Sequence, residues 1–110
     1  MAAPSVGWVL HNATVGSGAT VNSGVWNRPF PMTRSVTFKV RSDQALTVNV
    51  QTVAIDGTTW EDVQGATGVA IGAGEPVETI EIAHAASVLR LEMVNGTGTD
   101  ASVEVVADSA

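Results

Sequence analysis

The stretch Ala45–Val63, ALTVNVQTVAIDGTTWEDV, decides how the rest of the chain is read. Leu46, Val48 and Val50 alternate with Thr47, Asn49 and Gln51. A strand turns successive side chains to opposite faces, so this is a strand with one buried and one wet face. At Thr52-Val53 the apolar phase slips to Val53 and Ile55. One extra residue shifts a strand in that way, which predicts a β-bulge near Gln51–Val53. Asp56-Gly57 supplies a tight turn, because Gly accepts positive φ and Asp bonds its own backbone. Trp60 then opens the return strand, giving a bent hairpin with a large aromatic near its turn.

Working outward, the same alternation recurs. Ser35–Ser42 places Val36, Phe38 and Val40 on one face and Thr37, Lys39 and Arg41 on the other. Val88–Val94 sets Leu89, Leu91 and Met93 against Arg90 and Glu92. Val77–Ile82 points Ile80 and Ile82 inward, with Glu78 and Glu81 outward. Ser102–Ala107 carries Val103 and Val105 inward, after an Asn95-Gly96-Thr97-Gly98 hairpin signal. Trp8 begins a first strand reaching about Val15, and Ala19–Trp26 forms a loosely registered second one, broken up by Gly and Asn. Val69 and Ile71 lie in a Gly- and Ala-rich stretch that reads as an edge strand or a loop. His84–Ala86 is the one place that admits a helical turn. Asn27–Pro31 is stiff and extended, since each proline fixes its own φ and biases the residue before it.

About eight short strands at this spacing predict an all-β, antiparallel two-sheet β-sandwich, of jelly-roll or Greek-key type. A single curled sheet has too few buried faces for so many half-apolar strands, whereas two packed sheets have enough. The 110 residues form a single domain, with residues 1–6 as a flexible arm.

Composition removes several function classes. No cysteine is present, so there is neither disulfide nor thiolate site. No apolar run approaches the roughly 20 residues of a membrane helix. The N-terminus lacks the basic flank and apolar core of a signal peptide. A net charge of −6 argues against a nucleic-acid binder. Its distribution is uneven: Arg28, Arg34, Lys39 and Arg41 precede residue 45, whereas ten of eleven acids follow residue 55. This reads either as a bipolar surface or as clustering that folding erases.

Chemistry needs a nucleophile or an acid–base pair in a cleft. His11 and His84 stand alone, with no nucleophile elbow, metal-spaced histidines or phosphate loop. The expectation is therefore no catalytic residue and no cofactor. Calcium is the one metal considered, at Asp56, Glu61 and Asp62, against the simpler reading of Asp-Gly as turn chemistry. Trp8 and Trp26 are the expected exposed aromatics, and Trp60 the one buried in the core beside Arg90. Phe30, between two prolines, is either a core plug or an exposed anchor. The sequons at Asn12 and Asn95 carry no meaning without a eukaryotic secretory route.

AIDGTTWEDV (Ala54–Val63) resembles the S-x-DG-x-x-W hairpin of small β-sandwich domains. SVLRLEMVN (Ser87–Asn95) is similar to the strand that follows it there, with an Arg amid apolar residues and a closing Asn. Discoidin-like carbohydrate-binding sandwiches share this pairing, as do small structural proteins of tailed bacteriophages. Ile55 departs from the usual polar Ser, and the bounding cysteines of many discoidin domains are missing. The resemblance implies a virion structural protein: a capsid decoration or cement protein on the outer head surface. Its implied partners are the major capsid protein and its own copies, with a trimer matching a threefold lattice position. Trp8, Trp26, Arg28, Phe30, Arg34, Lys39 and Arg41 are its expected contact residues. The alternatives are a carbohydrate-binding fibre module stacking sugars on Trp8 or Trp26, and a tail or neck module.

Overall fold

A computed structural model describes residues 8–27, 36–54, 56–82 and 88–109; for residues 8, 27, 75–78 and 109 it describes the backbone alone. Every regular element among them is a strand: β1 (Trp8–Val15), β2 (Thr20–Asn22), β3 (Trp26–Asn27), β4 (Val36–Ser42), β5 (Leu46–Val53), β6 (Trp60–Asp62), β7 (Val69–Ile71), β8 (Gly74–Ile82), β9 (Val88–Val94) and β10 (Ala101–Ser109). One sheet runs β1-β10-β4-β8. The other runs β2-β9-β5-β6, with β3 also on β9 and β7 also on β5. All pairings are antiparallel.

Ten strands occupy eight positions. β2 pairs with Glu92–Val94 and β3 with Val88–Leu89, so the two are one interrupted edge strand along β9. Likewise β6 faces Gln51–Val53 and β7 faces Leu46–Val48, both along β5. Merged in this way, the chain crosses between sheets at every step but β5 to β6/β7, the order of a jelly roll, an eight-stranded double Greek key. The sandwich expected from the strand pattern is therefore present.

The alternation read from the sequence supplies the core. Val36, Phe38, Val40, Val48, Val50, Leu89, Leu91, Met93 and Val105 are each fully buried. Every one is the inward member of an alternating strand, and together the inner faces form one cluster. Burying each Leu or Phe contributes about 2–3 kcal/mol.

Three expectations about the chain path are corrected. β5 pairs with β9 without a register shift from Thr47↔Val94 to Thr52↔Leu89, so there is no bulge at Gln51–Val53. The apolar phase slips because Val53 lies opposite Trp60, forming an apolar pair on the outer face. The shifts fall instead between Val9 and His11 and between Val40 and Ser42. Asn95–Gly98 is not a hairpin, because β9 and β10 belong to different sheets. The loop crosses the sandwich and is held by Asn95, whose side chain is fully buried. Asn95 Nδ2 donates to Val15 O (3.0 Å) and Thr99 O (2.9 Å), and its Oδ1 accepts from Thr97 N (3.0 Å) and Oγ1 (2.6 Å). The second strand breaks at Ser23-Gly24-Val25. Ser23 Oγ accepts from Leu91 N (2.9 Å), filling a ladder position that backbone would otherwise hold.

The break also joins the two sheets. Leu10 lies at the β1 irregularity, and its carbonyl accepts from Gly24 N at 2.7 Å. A Cβ on Gly24 would sit 2.9 Å from that same oxygen, so only glycine fits. Val69–Ile71 is an edge strand rather than a loop. His84–Ala86, Arg28, Phe30, Arg34 and the residue 1–6 arm lie outside the described residues.

Candidate functional site

The outer face of the β2-β9-β5-β6 sheet gathers the polar side chains that alternation turns away from the core. Gln51 stands between Arg90 on β9 and Asp62 on β6. Its Oε1 accepts from Arg90 Nε at 2.9 Å, and its Nε2 donates to Asp62 Oδ1 at 3.0 Å. Gln51 is only 8% exposed, although it occupies the wet side of its strand. The Arg90 guanidinium lies 4.1 Å from the centre of the Trp60 ring, a cation–π contact. A step along the sheet, Asn49 Nδ2 donates to Glu92 Oε1 at 3.0 Å, and Asn49 Oδ1 accepts from Gly68 N at 2.6 Å.

Local sequence explains why this face is assembled. The Asp56-Gly57 turn is closed by its aspartate: Asp56 Oδ1 accepts from Thr58 N and Thr59 N, both at 2.9 Å, and Oδ2 from Thr59 Oγ1 at 2.6 Å. These bonds, the Thr59 hydroxyl foremost, hold the Asp56 carboxyl at a pKa of about 2, below the ordinary 3.8. Gly57 takes a φ of 77°, as the turn demands. With Ala54 N bonded to Thr59 O at 2.7 Å, the turn delivers Trp60 opposite Val53. Beyond β6, the Val63–Gly68 turn reattaches to β5, with Val63 N on Val50 O (2.7 Å) and Val50 N on Ala66 O (2.9 Å).

The opposite outer face, on β1-β10-β4-β8, is simpler. Lys39 pairs with Asp108 and Arg41 with Glu104, each at 2.8 Å across adjacent strands. Cations early in the chain thus meet acids late in the chain, and folding removes this part of the charge asymmetry. A shallow groove of about 280 Å³ beside Arg41 is lined by Asn12, Asp43, Gly74, Ser102 and Glu104.

The expected contact residues separate in the structure. Trp26 is 1% exposed and lies in the core, a correction to its reading as an exposed platform. β3 is an edge strand, yet its Trp faces inward, opposite Leu89. Trp60 is the converse correction: it stacks on Arg90 as expected, but partly buried on the outer face rather than in the core. Lys39 and Arg41 share the outer face of β4, while Trp8 starts β1 at the far edge of that sheet. Arg28, Phe30 and Arg34 lie outside the described residues. Val9 and Val25, 64% and 45% exposed, were not singled out in the sequence. They are the chain neighbours of Leu10 and Gly24, whose backbone contact sets both beside one seam of the sandwich.

No group of three or more potential metal ligands is gathered among the described residues. Asp56, one proposed calcium ligand, is instead engaged with Thr58 and Thr59. His11 Nε2 is buried without a hydrogen-bond partner. No helix among the described residues is long and apolar enough to cross a membrane.

No protein-family model matches the chain, and no curated protein does. Among solved structures, the fold is similar to a de novo designed double-stranded β-helix determined by solution NMR. That match has a TM-score of 0.55 and 13% identity, over 89% of this chain and 96% of that one. It is also similar to the crystal structure of PirA, with a TM-score of 0.58 and 17% identity, over 89% of this chain and 92% of that one. At these identities the likeness is one of fold.

Proposed function

We propose that the protein is a virion structural protein, a decoration or cement protein on the outer surface of a tailed-phage head. The observation that carries this reading is the exposed pair Val9 and Val25. Large apolar side chains are left in water at a cost, and two of them beside one seam of the sandwich suit a contact with another protein. β1, which holds Val9, also carries Trp8 at its start. Cementing depends on interface area and shape rather than on a chemical site. In this reading the partners are the major capsid protein and further copies of the chain, in trimers at threefold positions. Lys39 and Arg41 on the β4 face, together with Arg28, Phe30 and Arg34, extend the contact; Trp26, being buried, does not.

The test is co-sedimentation of the purified protein with phage heads stripped of it. Stoichiometric binding is expected, weakened at least tenfold by Val9→Asp or Val25→Asp. A protein that stays in the supernatant, or aspartate variants that bind as the parent does, overturns the proposal.

A further inference from the structure

We propose that the free edge of β8 is a docking site for an extended polypeptide segment that alternates basic and apolar residues. Among the described residues, three of the four sheet edges are closed off or broken up. The β2/β3 edge is interrupted at Ser23–Val25, and the β6/β7 edge by the Val63–Gly68 turn. On β1 the register shifts between Val9 and His11, and Leu10 O there already accepts from Gly24 N. β8 differs from all three. From Glu78 to Ile82 it runs in unbroken register along Val36–Val40, and no described residue beyond β4 bonds to its backbone. Pro76, which lacks an N–H, lies outside this run, where the register shifts. In an antiparallel ladder every second residue turns its N–H and C=O away from its partner strand. Glu78–Ile82 therefore offers such groups to a further strand, as in recognition by strand addition.

The side chains select the occupant. On the outer face Thr79 and Glu81 are exposed, opposite Lys39 and Thr37. On the inner face Ile80 and Ile82 are 7% and 8% exposed, whereas their β4 partners Phe38 and Val36 are fully buried. The core thus thins at this edge. An added strand sets its residues alternately beside the outer and the inner row. Lysine or arginine on the outer side meets Glu81, which pairs with no described cation. Valine or isoleucine on the inner side covers Ile80 and Ile82. A second copy of β8 is a poorer occupant. Gly74–Ile82 holds Glu75, Glu78 and Glu81 and no base, so self-pairing doubles the carboxylates of one ladder. Like charges across a strand pair destabilise it. The glutamates therefore guard the edge against its own kind and favour a basic strand.

The test is titration of the intact protein with a short synthetic peptide of alternating lysine and valine, read by calorimetry and amide hydrogen exchange. Two control peptides are used. One alternates glutamate and valine; the other is the lysine peptide N-methylated at every second residue, which removes the N–H groups of one edge. Two variants receive the same charge change: Glu81→Lys on β8, and Glu61→Lys, exposed on β6 of the other sheet. The expected result is binding of the lysine–valine peptide with slowed exchange within Glu78–Ile82. Binding should weaken at least tenfold in Glu81→Lys, stay unchanged in Glu61→Lys, and vanish with either control peptide. No binding, equal weakening in both variants, equal binding of the N-methylated peptide, or protection confined to other strands overturns the site. Thermal melts of both variants separate loss of binding from loss of fold. β8 and β1 are opposite edges of their sheet, so attachment to phage heads through Val9 is read separately, and either proposal can fail without the other.

Discussion

The two outer faces of the sandwich have the same backbone geometry but differ in how their side chains are held. On the β1-β10-β4-β8 face, Lys39–Asp108 and Arg41–Glu104 are pairs in open solvent, with lysine and arginine side chains about half exposed. On the β2-β9-β5-β6 face, an amide is nearly buried and links an arginine to an aspartate, with an indole stacked on the arginine. Surface ion pairs are worth little, since water and salt compete with them. A buried amide with both ends satisfied is different: removing it leaves neighbours without partners in a place water reaches poorly. The first face is therefore expected to tolerate substitution, and the second to behave as a unit.

The largest effect should come where the two sheets are tied together. Asn95→Ala takes the side-chain donor from the buried carbonyl of Val15 and frees the Thr97 side of the loop. We expect a loss of about 3 kcal/mol in chemical denaturation, from about 1–3 kcal/mol per stranded group. Loss below 1 kcal/mol would mean that the crossing loop is not a structural tie. Gln51→Ala follows, at about 2 kcal/mol. It sharpens the comparison between faces if the double variant Gln51→Ala/Arg90→Ala costs clearly less than the two singles added, as coupled groups do. Lys39→Ala should cost at most about 1 kcal/mol. A value as large as that for Gln51→Ala would erase the contrast altogether. Acid is the mildest probe. The folded Asp56 has its pKa lowered to about 2, so its contribution is complete above the ordinary value of 3.8 and disappears as pH falls toward 2. Asp56→Asn should flatten the fall in melting temperature between those limits; an unchanged profile would remove Asp56 as its source.

What could be read from the sequence tracks how local its cause is. Alternation in Val36–Ser42, Leu46–Gln51 and Val88–Val94 depends only on the two-residue repeat of a strand, and the core follows from it. The Asp56-Gly57 turn and the Trp60–Arg90 contact were also accessible, the former from turn chemistry and the latter from paired motifs. What was misread depends on partners far along the chain. Val53 looked like evidence of a bulge because its outer-face partner Trp60 was out of view. Asn95-Gly96 carries a hairpin signal, yet whether a turn closes a hairpin or crosses between sheets is decided by pairings of β10 with β1 and β4. Trp26 sits on an edge strand, where a reader expects exposure, but β3 is short and its one large side chain packs against β9. Gln51 reads as a solvated polar residue; nothing local reveals that Arg90 and Asp62 close over its two ends.

The position of β10 has a consequence for synthesis. This strand lies between β1 and β4, pairing Trp8 with Ala107 at one end and Ser109 with Val36 on the other side. Without residues 101–109, that layer has a slot in its middle and the facing backbone edges of β1 and β4 have no ladder partner. β1 and β4 therefore complete their layer only once residues 101–109 have been made and have docked between them. Long-range closure of this kind is slow, which makes the interval before β10 docks the stage most exposed to misassociation.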